Sequence, residues 1–187
     1  MKKNLPHFLL TSCIFSVLLA SAQTDRFAYA ITDVTKEGAN WSFLRKIDLK
    51  TGHFGDVLLN GTDAEQLAYD DATKKQLIEP LQDARFGKIA NAAFATGVAA
   101  IAYDRKNQRI YYTPMFINQL RYIDLKTMKV YFVSTPEIGS LQIKAADQSN
   151  IITRMAIAGD GNVYALTNDG NHLLRINTGK KIFTHHL

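Results

Sequence analysis

"VAAIAYDRKNQRIYYTPMFINQLRYIDLKTMKVYFVS", residues 98–134, divides into four short extended segments. "VAAIAYD" is apolar and is followed by the polar turn "DRKNQ", and "RIYYTP" is β-branched and aromatic. "QLRYIDL" alternates apolar and polar residues, "KTM" turns, and "KVYFVS" is again β-branched and aromatic. Short runs of this composition, bounded by turn residues, read as strands of an antiparallel sheet.

The pattern recurs along the chain. "LRKIDLKTGHFGDV" at 44–57 matches "LRYIDLKTMKVYFV" at 120–133, and "LLRINTGKKIF" at 173–183 is a looser copy. "AYDDATKKQLIEP" at 68–80 and "AYDRKNQRIYYTP" at 102–114 form a second pair, offset by 34 residues. Toward the C-terminus "ITRMAIA", "VYALT", "HLLRIN" and "KKIFT" repeat the plan, with turns at Gly159-Asp160-Gly161-Asn162 and Asn168-Asp169-Gly170-Asn171. Asp-Gly and Asn-Gly steps suit tight hairpin turns, and these runs lack the spacing and terminal Glu of a calcium loop. In "IDLKTG" the Asp and the following Lys-Thr-Gly leave the third strand, where the chain must reverse; no glycine-rich phosphate cradle accompanies them. Four strands per unit, with units near 40 residues, is the plan of a β-propeller blade.

"AIAYDRKNQRIYYT" and "LRYIDLKTMKVYFV" resemble the blades of NHL-like and YVTN-like β-propeller repeat proteins. The resemblance covers most of residues 26–184 and implies an all-β, propeller-like stack of four-stranded antiparallel blades, without implying an activity. The Trp-Asp signature of WD40 blades is absent. Blades are expected at about 26–60, 64–96 (degenerate), 98–133 and 151–185. The first supplies only three strands, so three to four incompletely closed blades are expected, against the 4–8 of a closed ring. The expectation is therefore the N-terminal part of a longer propeller, able to self-associate through open terminal blades. A compact four-bladed ring, or closure by oligomerisation, is the alternative.

The first 22 residues read as a secretory signal peptide. Lys2 and Lys3 precede an apolar stretch from Phe8 to Ala20, and Ala20-Ser21-Ala22 places small residues before a cut at Gln23. The stretch is too short for a membrane span. Lipidation at Cys13 is disfavoured because cleavage there would halve the apolar region. A secreted or periplasmic protein without cysteine is expected, which excludes thiol chemistry. Without Lys2 and Lys3 the chain has 20 basic and 17 acidic residues, a net charge of +3, too mild and scattered for nucleic-acid binding.

Connections between the second and third strands ("DVTKEGAN", "PMFIN") and between blades (134–150) are long, and antiparallel connectivity puts both kinds at one end of each blade. Function concentrates on long loops held by a rigid scaffold. Trp41, Met115, Phe116, Asn168 and Asp169 are the candidate ligand residues of that face, although the first three could simply pack between blades and the last two are turn residues first. Glu65 and Asp70 are the inner-strand carboxylates. No motif nominates a catalytic group, metal or cofactor, and the adjacent His185 and His186 do not make a metal site. The expected function is an exported, non-catalytic module binding a protein, small molecule or glycan. The competing expectation is a propeller-type hydrolase or lactonase whose site is completed by blades outside this chain.

Overall fold

Most strands fall in sequence order into three mainly antiparallel sheets packed face against face, and a fourth sheet has two strands only. The computed structural model describes residues 26–33, 41–63, 65–83, 87–89, 91–94, 96–141, 147–179 and 181–187. The expected signal peptide, residues 1–22, lies outside them. The first sheet holds β1 (Phe27–Thr32), β2 (Phe43–Asp48) and β3 (Phe54–Asn60). The middle sheet holds β7 (Val98–Asp104), β8 (Arg109–Pro114), β9 (Leu120–Asp124) and β10 (Lys129–Val133), with the short β4 (Tyr69–Asp70) added outside β10. The last sheet holds β11 (Ile152–Ile157), β12 (Val163–Thr167), β13 (Leu173–Asn177) and β14 (Phe183–His186), and one helical turn, α1 (Pro136–Gly139), links it to the middle sheet. The protein is thus an all-β, propeller-like stack of incompletely closed blades.

The repeated "IDLKT" is a turn device. Asp48 Oδ1 accepts the backbone N–H of Lys50 (2.9 Å) and Thr51 (3.0 Å), and Asp124 Oδ1 accepts those of Lys126 (2.9 Å) and Thr127 (3.1 Å). An aspartate that bonds its own backbone two and three residues on closes the turn locally. The residue after each Thr is left-handed, Gly52 at φ 70° and Met128 at φ 56°. Asp70 does the same for its turn, accepting from Thr73 N–H at 2.7 Å, with Lys74 at φ 59°.

Alternation on β8 and β9 shows why those segments read as nearly continuous apolar runs. Ile110 and Tyr112 face the first sheet and pack with Leu44, Leu59 and Phe94, whereas Tyr111 and Tyr122 face the last sheet and pack with Val163, Leu174 and Ile176. Both faces of the middle sheet are covered, so both residue parities are buried. Arg121 is 0% exposed, and among the described residues it has no carboxylate partner. Its guanidinium donates to Gln119 Oε1 and to the carbonyls of Ala92 and Ala93, which pins the segment before β7 against β9; burial lowers its pKa.

Among the described residues, the stretch read as a degenerate blade, 64–96, gives a short strand that joins the middle sheet and a separate two-stranded sheet. Tyr69 and Asp70 run parallel to β10, opposite Tyr131 and Phe132, and β5 (Leu81–Asp83) pairs only with β6 (Gly87–Ile89). The physical reason lies in the edge of β10, whose unpaired backbone groups take a strand. Tyr69, Tyr131, Tyr122 and Tyr111 are successive partners across four strands, and neighbouring rings lie 4.9 to 5.8 Å apart. A row of directly opposed aromatics stabilises this sheet edge.

Candidate functional site

The middle and last sheets meet along β7 and β11, which lie side by side, and Thr113 Oγ1 donates to Ile152 O across the junction at 3.1 Å. At the end carrying the long connections, this junction opens into a cavity of about 460 Å³. Its floor is the start of both strands, Val98 and Ala99 on one side, Ile151 and Thr153 on the other. Met115 and Phe116 reach it from the β8–β9 connection, Trp41 from two residues before β2, and Asn168 from the β12–β13 turn.

Local backbone chemistry fixes these positions. Met115 N–H donates to Gly97 O at 3.1 Å, and Thr96 Oγ1 donates to Met115 O. The next residue, Phe116, then adopts φ 65°, and Trp41 adopts φ 45°. A left-handed conformation costs an L-residue about 1–2 kcal/mol, and such strain clusters at ligand clamps. Asn168 N–H donates to Ile151 O at 2.8 Å, which holds the turn over the mouth of β11. Arg154 Nη1 donates to the carbonyls of Thr167 and Asn168 from behind (3.2 and 3.3 Å).

Among the described residues, the lining carries no charged side chain. Polar capacity comes from Gln148 and Asn168, both exposed, and from Thr153, whose Oγ1 is buried with no hydrogen-bond partner among the described residues. Trp41 is 45% exposed and is the chain's sole tryptophan. The arrangement offers apolar rings, carboxamides and a hydroxyl, which is the make-up of a small-molecule pocket in the usual range of about 300–1,000 Å³.

Four of the five candidates from the sequence thus share one cavity: Trp41, Met115, Phe116 and Asn168. Asp169 is adjacent in sequence but is not among the lining residues. Its carboxylate is used inside the turn, accepting from Thr167 Oγ1 (2.6 Å), Asn171 N–H (3.0 Å) and Asn171 Nδ2 (2.7 Å), and the Thr167 and Asn171 bonds lower its pKa. Glu65 stands apart, beside a smaller cavity of about 230 Å³ shared with Leu59, Lys129 and Val130, and Asp70 closes its own turn. His172 Nδ1 and His186 Nε2 are 2.9 Å apart. Among the described residues no three His, Cys, Asp or Glu gather as metal ligands, and no helix is long and apolar enough to cross a membrane.

No known family model matches the chain, and no curated protein does. Among solved structures it is similar to an auxiliary nutrient binding protein from Bacteroides ovatus, at 16% identity and a TM-score of 0.35, over 77% of this chain and 36% of that one. It is also similar to a streptogramin B lyase, at 13% identity and a TM-score of 0.39, over 86% of this chain and 54% of that one. The chain therefore spans between about a third and about half of the length of these structures.

Gln148, Thr153, Ile151, Val98 and Ala99 were not singled out by sequence. Gln148 lies in the long 134–150 link, so loop length pointed to its neighbourhood. The other four sit at strand starts and read as ordinary strand residues.

Proposed function

We propose that this protein is an exported binding module, built of NHL-like or YVTN-like blades, that takes a ligand in the cavity on its long-loop face. The observation that carries this reading is the convergence of Trp41, Phe116 and Asn168, from three different connections, on one cavity between blades. Among the described lining residues there is no titratable side chain through which general acid–base chemistry could act, which favours the binding reading. Export rests on the signal-like residues 1–22, and intact mass of protein from the exported fraction should begin at Gln23; retained Met1, or a lipid on Cys13, would overturn it.

Because Trp41 is the sole tryptophan, its emission reports on the cavity without labelling. Titration with the neutral dye Nile red should quench it saturably at one site per chain. Ala99→Phe, which puts a ring into the cavity floor, should abolish that uptake while leaving the thermal transition in place. Unsaturable uptake, or uptake unaffected by Ala99→Phe, would refute a binding cavity at this position.

A further inference from the structure

We infer that the ligand is a neutral carbohydrate, stacked on Trp41 and hydrogen-bonded by the carboxamides of Asn168 and Gln148; this rests on the cavity being a binding site. The absence of charged side chains among the described lining residues narrows the class first. A phosphate, carboxylate or ammonium moved into a recess with no countercharge loses its hydration without recompense. Arg154 donates its Nη1 to the carbonyls of Thr167 and Asn168 and is not among the lining residues. The ligand is therefore uncharged.

The second narrowing comes from the mixture of surfaces. A purely apolar ligand would cover the exposed carboxamides of Asn168 and Gln148 without giving them partners and would leave the Thr153 hydroxyl, unpaired among the described residues, unsatisfied, and a polar group buried unpaired is unfavourable. A sugar ring has apolar C–H faces and a rim of hydroxyls, each both donor and acceptor. Carboxamides match that rim, since each offers two donors and an acceptor oxygen. The exposed face of Trp41, with Phe116 and Met115 beside it, matches the C–H face. The left-handed backbone at Trp41 and Phe116 is set before the ligand arrives, which lowers the backbone part of the ordering cost of binding.

The test uses the full chain and oligosaccharides of matched length: neutral maltohexaose, cellohexaose, xylohexaose, mannohexaose and arabinohexaose, against acidic oligogalacturonate and cationic chitosan oligomers. At least one neutral sugar should shift Trp41 emission to the blue saturably and displace Nile red, with the charged oligomers at least about tenfold weaker. Asn168→Ala and Gln148→Ala should each weaken that sugar by about tenfold, with unchanged thermal transitions. By calorimetry, Trp41→Ala should weaken it at least as much. If Nile red occupies the cavity and none of the neutral sugars displaces it, the carbohydrate assignment fails while the cavity stands. Equal binding of charged and neutral oligomers also overturns the assignment. If neither dye nor sugar binds, the binding site itself is refuted.

Discussion

Gly52 and Phe116 share a left-handed backbone, at φ 70° and 65°, yet opposite demands put them there. A Cβ added at Gly52 would meet nothing within 4 Å, so Gly52→Ala tests backbone strain with no change in packing. It should destabilise the fold by about 1–2 kcal/mol, read as a lower urea midpoint at constant slope. Met128 occupies the equivalent position after "DLKT" and is tolerated because its side chain packs against the core between the first and middle sheets. At Phe116 the strain serves the cavity. Phe116→Asn, with a residue that accepts this backbone, relieves about 1–2 kcal/mol while giving up the apolar area of a half-buried ring, worth a similar amount. Stability should therefore change by less than about 1 kcal/mol, while Nile red uptake falls. A loss of several kcal/mol would mean that Phe116 is a packing residue, as most large apolar residues between blades are. Trp41, Met115 and Phe116 were legible as candidates because loop length is written in the sequence. Thr153 was not, because its cavity role depends on how two sheets dock.

Across the middle sheet, the row Tyr111, Tyr122, Tyr131 and Tyr69 converts a local hairpin into an added strand. The hairpin at 68–77 was legible, with Asp70 turning the chain, but its attachment to the edge of β10 was not, since that depends on a tyrosine opposite a tyrosine 62 residues away. Buried tyrosines on both faces of the middle sheet also carry a pH signature. Burial pushes Tyr111 up to about 12, opposed by the hydrogen bond from Arg109, and burial raises Tyr112 and Tyr122 further, Tyr122 with help from its hydrogen bond to Asp71. An unfolded tyrosine ionises near pH 10, so these groups contribute stability that is complete below about pH 10 and is lost as pH rises toward 12. Urea midpoints should be flat to about pH 10 and then decline, with Tyr111 alone accounting for about 2–3 kcal/mol by pH 12. Tyr111→Phe should shallow the decline. Tyrosinate absorbance from these three residues should appear only with unfolding; early, reversible ionisation in the folded protein would contradict their burial.

At the scale of the whole molecule, each end sheet packs one face inward and leaves the other uncovered by described residues. Register places Phe54 and Val57 with Ile47 on the outer face of the first sheet, and Leu173 and Phe183 with Tyr164 on the outer face of the last. Phe54 is 54% and Phe183 40% exposed. In a stack of blades such faces meet another blade, and open apolar faces favour association. We predict that the chain self-associates by continuing its own stack, the first sheet of one copy on the last sheet of the next. That contact is heterologous, so growth is open-ended and mass measured by light scattering should rise with concentration. Phe54→Lys and Phe183→Lys should each yield monomers, because each disables one half of the only contact. Mixing the two variants should restore a heterodimer, since each retains the face the other has lost. If instead the sheets paired face to face with their own kind, one variant would remain dimeric and mixing would add nothing. A wild-type chain that is a monodisperse monomer at high concentration would overturn the prediction altogether.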